Sequence, residues 1–523
     1  MRVLHYNWVD PADPAGRGGG VRSYMAALVA EQVRTPGYRV TTLASGLLHD
    51  LRPRPPRWQR IRQDHHEIVN ARPLAPSQVD FGARAQHSHP GTEAAFADFL
   101  RATGPYDVVH FHTLEGLPAR VLEIAAEVPG QKVCLSLHNY HPFCPQVNLW
   151  WREFAHCTDF EGGVRCATCL PLKPNPNSVL RAYQIETSCT RAGFGPGHWL
   201  HDRLLRPGLR QGWHLLKRLA RRNPPAPRPA ETEGTAFAAR RARMITLINA
   251  HCARVLAVSQ RTQQLAQAFG LERVETLYIG TPHARAWTRT APRPWPTRFS
   301  PESPLHLCYL GYMRADKGFS FLLEALAALP RAQAARVHLS VAARRGPPGM
   351  MAQMTALRDH LAGLDWRDGY TAADLDTILA RTDLGVVPPL WQDNLPQTAL
   401  EMHARHIPLL TSDRGGAREL GGTDELTFRA GDPRDFSACL ARVLDGRSDL
   451  AAYWAQARVP QDMVQHVRAL HHCYEELHEG IDSHRNSQIR HIHDPGLSLD
   501  ESGRAGHAGA AACALQPGFR QSV

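Results

Sequence analysis

Residues 384–422 read LGVVPPLWQDNLPQTALEMHARHIPLLTSDRGGARELGG, and the order of residue types in this stretch decides the fold. LGVVPPL is a short apolar run of the kind that forms a strand buried on both faces. A helix begins near Pro396, a residue favoured in a first helical turn because its missing N–H would have no partner there. PLLTS from Pro408 is the next buried strand. Strand, helix and strand in this order make a parallel crossover unit, and such sheets bind ligands at the carboxyl ends of their strands. Asp393 falls at that end and Glu401 inside the helix, with seven residues between them. Two carboxylates so placed accept hydrogen bonds from sugar or ribose hydroxyls at different depths of one crevice. A helix cap at Asp393 and an i,i+4 pair between Glu401 and Arg405 fit the two acids equally well, but they leave the surrounding sequence unexplained.

The same alternation extends outward in both directions. LHLCYLG from Leu305 and RVHLSVA from Arg336 complete one series of strands. An earlier series holds RVLHYNWV at the start, YRVTTLAS from Tyr38, YDVVHFH from Tyr106, KVCLSLH from Lys132 and RVLAVS from Arg254. These five predict a first Rossmann-like domain over residues 1–283 and the later series a second over 304–450. Residues 284–303, rich in Pro, Arg and Ser and without periodicity, read as the linker between them. Helices over 451–482 are expected to cross back to the first domain, and the tail 483–523, which has little to bury, to be disordered. With 523 residues, 43% hydrophobic and 21% charged, the chain is neither a small disulfide-stapled scaffold nor globally disordered. The net charge of +11 admits nucleic acid, an anionic membrane surface or an anionic substrate as partner.

Two further segments carry chemistry. Gly18, Gly19 and Gly20 lie about ten residues after the first strand and directly before the helix VRSYMAALVAEQV. Glycines there let the backbone approach an anion that the unpaired N–H groups of the helix then meet, although a flexible loop tip has the same composition. The spacing is not that of a GxGxxG dinucleotide loop. GYMRADKGFSFLLEALAAL, Gly311 to Leu329, again follows a strand and opens into an amphipathic helix. Lys317 just before that helix, with Arg314 three residues earlier, suits a diphosphate; a solvated pair in an ordinary loop is the alternative.

Taken in order, these segments resemble the GT-B fold glycosyltransferases of family 4, which take sugars from nucleotide-sugar donors with retention of configuration. The resemblance runs through Gly19 and Gly20 before VRSY, DVVHFH at Asp107 to His112, LSLHN at Leu135 to Asn139, VLAVSQR at Val255 to Arg261 and LYIGTP at Leu277 to Pro282. It continues through LGYMRADKG and the paired acids Asp393 and Glu401, a pattern usually written EX7E, to IPLLTSDRGGARE. It implies an α/β GT-B fold, two facing Rossmann-like domains with a cleft between them. It further implies that Lys317 with Arg314 binds the donor diphosphate and that Gly19 and Gly20 approach it from the other domain. Glu401 would hold the ribose hydroxyls and Asp393 the transferred sugar, with backbone donors from Asn394 and Leu395 beside it. His138 matches a family histidine near the reacting centre. Two positions depart from the pattern: Asp393 is one methylene shorter than the usual Glu, and Tyr312 stands where many members carry Arg. No protein nucleophile, catalytic metal or other cofactor is implied.

Cys144, Cys157, Cys166 and Cys169 contain a single CxxC; a structural zinc site and unpaired thiols in an acceptor-side loop are both open readings. Residues 177–230 hold ten basic and two acidic side chains. Within them Leu205, Leu209, Trp213 and Leu216 share a helical face among Arg206, Arg210, Lys217 and Arg218. That arrangement suits a membrane-surface helix, and a solvated insert fits as well. The N-terminus MRVLHYNWVD shows no secretory signal, so the expected setting is the cytoplasm, peripheral at the inner face of the plasma membrane. There the enzyme would act on a saccharide or lipid-linked saccharide acceptor in polysaccharide or glycoconjugate biosynthesis. A non-catalytic GT-B protein that binds a nucleotide sugar or a partner subunit is the runner-up. A nucleic-acid partner is not expected, since the basic insert lacks a reading module.

Overall fold

Short β-branched and leucine-rich runs form two parallel sheets in the computed structural model, which describes residues 1–152, 154–170, 175–205 and 230–479. The first sheet takes β1 (Arg2–Tyr6), β2 (Arg39–Ser45), β3 (Arg57–Arg62), β4 (His65–Val69), β5 (Val108–Phe111) and β6 (Lys132–Leu137). A separate two-stranded hairpin, β7 (Trp150–Trp151) with β8 (Ala155–His156), precedes β9 (Arg254–Ala257) and β10 (Val274–Thr276), which complete the first sheet. Its order is β10-β9-β6-β5-β1-β2-β4-β3, and every pairing is parallel except β3 with β4. The second sheet takes β11 (Leu305–Tyr312), β12 (Val337–Arg344), β13 (Gly363–Arg367), β14 (Leu384–Val387), β15 (Leu409–Ser412) and β16 (Thr427–Phe428). Its order is β13-β12-β11-β14-β15-β16, parallel throughout.

All nine strands expected from the sequence are present. In the two large sheets five more were missed, β3 and β4, β10, β13 and β16, as was the hairpin of β7 and β8. The first four carry charged or imidazole side chains where a buried strand would be apolar, and β16 has only two residues. β3, RWQRIR, is the antiparallel edge of its sheet and largely exposed, where a charged strand discourages edge-to-edge pairing.

Each sheet has its own apolar core. Val109, Phe111, Leu135 and Val255 lie within the first, Leu307, Leu339, Val386 and Leu410 within the second. Both strand orders reverse in the middle, at β5–β1 in the first sheet and at β11–β14 in the second. Crevices open at such points because the flanking crossovers leave to opposite faces. Residues Met1–Glu475 form one compact unit. The tail expected to be disordered lies outside the described residues, as do residues 206–229 of the basic insert. Among the described residues no helix is long and apolar enough to cross a membrane.

Candidate functional site

The loops after β11 and β14 flank the reversal point of the second sheet and carry the two segments read from the sequence. After β11 the chain turns at Gly318, φ 73°, which caps the helix Phe319–Ala327. A Cβ at Gly318 would stand 1.7 Å from the carbonyl oxygen of Pro388, so only glycine lets the β11 and β14 loops touch and brings Lys317 to Asp393. After β14, Asp393 is held from behind by the loop that follows β15. Gly416 N–H donates to the Asp393 carbonyl at 2.9 Å, and a Cβ on Gly415, φ 78°, would overlap the Asp393 backbone. Pro396 caps the next helix, Gln397–His403, from just outside its first turn.

A cleft of about 250 Å³ opens between these loops and the carboxyl ends of the first sheet. Lys317, Asp393, Asn394 and Leu395 line it from the second sheet, Gly20 and His138 from the first. The Gly20 backbone lies against Gln397, whose Cγ would be 3.1 Å from a Cβ there. Asn394 reaches across to donate to the Leu137 carbonyl at 3.4 Å. Elsewhere the Glu419 carboxylate accepts the Gln260 and Arg261 N–H groups at the start of the helix Gln260–Ala268, at 2.9 and 2.7 Å. A carboxylate at a helix N-terminus is favourable electrostatically and ties the two sheets together beside the cleft.

The remaining candidates lie outside the cleft lining. Gly19 precedes it with φ 54°. Arg314 donates twice to Asp316, at 2.9 and 2.8 Å, with its side chain 61% exposed. Glu401 sits behind the loop, where its carboxylate accepts the Tyr370 hydroxyl at 2.7 Å and stands 3.7 Å from His283 Nε2. Burial raises its pKa to about 7, against the lowering effect of the Tyr370 bond and Arg405. Arg405 donates to the Glu401 backbone carbonyl and to Asp376.

Lys317 Nζ lies 2.5 Å from Asp393 Oδ2 and 4.9 Å from the Trp391 ring centroid. The two groups expected to hold separate parts of a donor are therefore paired with each other. Tyr312, exposed, lines the rim. The sequence reading missed Tyr24, Trp391 and Gln397, all of which line the cleft. Tyr24 was detectable one helical turn after Gly20, and Trp391 two residues before Asp393.

His138 belongs to a buried string of imidazoles. Its Nε2 is 3.1 Å from His112 Nδ1, His112 Nε2 is 2.9 Å from His5 Nδ1, and His5 Nε2 is 2.6 Å from Gln32 Oε1. Gln32 Nε2 continues to His471 Nε2 at 3.2 Å. Burial holds these rings neutral: His138 falls to about 3, His5 and His471 to about 4, and His112 lies well below its ordinary value. Tyr24 packs on His138 with ring centroids 4.8 Å apart and bonds His466 Nε2 at 2.8 Å.

Among the described residues, two groups bring three potential metal ligands within 4.8 Å of one another, His5 with His110 and His112, and Asp10 with His65 and Glu67. Every ring nitrogen of the histidine group already has a hydrogen-bond partner, His110 pairing with Tyr474 and Ser136. Cys144, Cys157, Cys166 and Cys169 do not form such a group. They do share one region, with Cys157 N–H bonded to the Leu149 carbonyl and Arg152 N–H to that of Cys169. Burial, reinforced by the neighbouring thiols, raises Cys157 to about 11 and Cys166 to about 12.

Residues 304–446 match the family model described as glycosyl transferases group 1. No curated protein matches the chain in sequence. Among solved structures, the chain is similar to an α,α-trehalose-phosphate synthase (UDP-forming) from Burkholderia xenovorans in complex with glucose-6-phosphate. The identity is 13% and the TM-score 0.52, over 91% of this chain and 99% of that one. It is also similar to Anabaena HepE in complex with UDP, at 14% identity and TM-score 0.50, over 91% of this chain and all of the other. Both likenesses are of fold, over nearly the whole length of each protein.

Proposed function

We propose that this GT-B chain, with its glycosyl transferases group 1 module at 304–446, transfers a sugar from a nucleotide-sugar donor, with retention of configuration, to a saccharide or lipid-linked saccharide. The observation that carries the reading is the cleft at the reversal points of both sheets. One ammonium, Lys317, and one carboxylate, Asp393, face Gly20 and His138 there. When the bond from sugar to diphosphate breaks, negative charge grows on the leaving group and positive charge on the ring. An ammonium beside a helix N-terminus stabilises the first and a carboxylate the second. Removing one such fixed group typically costs about 100- to 1,000-fold in rate.

In this reading Lys317 holds the diphosphate once it has left Asp393, and Asp393 accepts from a hydroxyl of the sugar. Asn394 and Leu395 offer their backbone N–H groups beside it. Glu401 reaches the ribose only after exchanging the Tyr370 hydroxyl for a ribose hydroxyl. Arg314 joins the diphosphate by leaving Asp316. UDP in the HepE complex makes uridine donors the first to try. Incubating the chain with a panel of nucleotide sugars, while following melting temperature and nucleoside diphosphate release, tests the proposal. A donor that binds the native state raises its melting temperature. No shift and no release with any donor would refute it.

A further inference from the structure

The buried imidazole string has a direction, and one amide sets it. We infer that Gln32, acting through His5 and His112, fixes the tautomer in which His138 meets the cleft, so that His138 offers a lone pair on Nδ1 to a substrate hydroxyl. A neutral imidazole carries one N–H and one lone pair, and burial keeps these rings neutral. Gln32 Oε1, 2.6 Å from His5 Nε2, can only accept, so His5 carries its proton on Nε2. His5 Nδ1 is then an acceptor and takes the Nε2–H of His112 at 2.9 Å. His112 Nδ1 in turn takes the Nε2–H of His138 at 3.1 Å. The nitrogen of His138 left for the cleft is Nδ1, without a proton.

The far side of the same amide continues the string. Gln32 Nε2 donates to His471 Nε2 at 3.2 Å, and His471 is itself stacked on Tyr38 with ring centroids 3.4 Å apart. Reversing the amide would reverse every bond of the string and turn His138 Nδ1 into a donor. Gln32, His5 and His112 are thus positioning residues, while His138 is the group that touches substrate. The substrate class is a molecule that presents a hydroxyl to that nitrogen, which for this cleft means a sugar; this last step rests on the proposed glycosyl transfer.

The full chain with ¹⁵N-labelled histidine tests the string directly, because two-bond ¹⁵N–¹H correlations distinguish the tautomers. Comparison with His138→Asn identifies the His138 signals. The wild type is expected to show His138 as the Nε2–H tautomer. Gln32→Met keeps the volume but removes both hydrogen bonds, so an Nδ1–H population is expected at His138, and kcat should fall about fivefold or more at nearly unchanged donor KM, because only the competent tautomer turns over. Gln32→Glu keeps an acceptor toward His5 and should retain the Nε2–H form. An Nδ1–H His138 in the wild type, or a tautomer indifferent to Gln32→Met, would overturn the inference. A tautomer that shifts as expected in a chain that releases no sugar from any donor would uphold the string and refute the glycosyl-transfer reading alone.

Discussion

Substituting Asp393 by Asn should tighten the binding of a nucleoside diphosphate while impairing sugar transfer. In the structure Lys317 is not waiting for a phosphate; its ammonium is 2.5 Å from the Asp393 carboxylate, with side-chain exposures of 28% and 10%. Any diphosphate must compete with that carboxylate for the ammonium. A solvent-exposed ion pair contributes about 0–1 kcal/mol, whereas breaking a buried one from one side costs about 3–5 kcal/mol. A pair with one nearly buried and one partly exposed member lies between, at about 1–2 kcal/mol. At 1.4 kcal/mol per tenfold, removing the competitor strengthens diphosphate binding by about 5- to 30-fold.

Asn has the same shape but no charge, so the change isolates the electrostatic competition. Lys317→Met should act oppositely, weakening diphosphate by about 10- to 150-fold, the range for a hydrogen bond to a charged group. It should also lower the melting temperature, because Asp393 is left buried without its partner. Isothermal titration of nucleoside diphosphate into the wild type, both single variants and the double variant closes the cycle. If Asp393→Asn leaves affinity unchanged or weakens it, the two groups do not compete for the diphosphate and the assignment of Lys317 fails.

Other consequences follow from the same geometry. Glu401 has its pKa raised by burial from an ordinary 4.5 to about 7, and ribose hydroxyls need the ionised carboxylate as acceptor. Donor affinity should therefore rise as pH increases through about 7, and Glu401→Gln should flatten the profile. The same shift means that the folded chain holds this proton more tightly than the unfolded one. Its contribution to stability should thus fall between about pH 4.5 and 7, a slope that denaturant melts of wild type and Glu401→Gln will compare. Of the two readings open for Cys144, Cys157, Cys166 and Cys169, we propose the structural zinc for test. Among the described residues Arg240, buried, donates to Gln86, His141 and Pro142 oxygens and Arg241, partly buried, to the Phe143 carbonyl, and the neighbouring thiols act electrostatically on both guanidinium groups. Two cations would balance the net −2 of a tetrathiolate zinc. Metal analysis should find about one zinc per chain, lost in Cys166→Ser; less than half an equivalent would exclude the site. For the basic insert we propose an anionic membrane surface as partner, with the chain peripheral at the inner face of the plasma membrane. It should co-float with anionic liposomes at low salt and detach as ionic strength rises, and failure to float at low salt would dismiss that partner.

The fold was legible because strands buried on both faces must be continuously apolar, and LHLCYLGY, LGVV and LLTS announce themselves as such without neighbours. β3 with its three arginines and β13 with its Asp and Arg gave no such signal, since an edge or exposed face tolerates polar residues. The placing of Lys317, Asp393 and His138 at the cleft was legible for a related reason: loops at the carboxyl ends of strands beside a reversal point line the crevice, although Arg314 on the same loop as Lys317 turns to Asp316 instead. What those residues do to one another was not. The pairing of Lys317 with Asp393 spans 76 positions and depends on Gly318 letting two loops touch. Glu401 looked like a cleft residue from its spacing, but the packing of its helix turned it to Tyr370. Nothing local in Gln32, His5, His112, His138 or His471 announces that they bond in series, because they meet only when three strands and two helices have packed. Local pattern encodes period and burial, which determine elements and their ends. Hydrogen-bond partners, protonation states and tautomers depend on distances of a few ångströms between segments far apart in the chain, and these exist only in the folded protein.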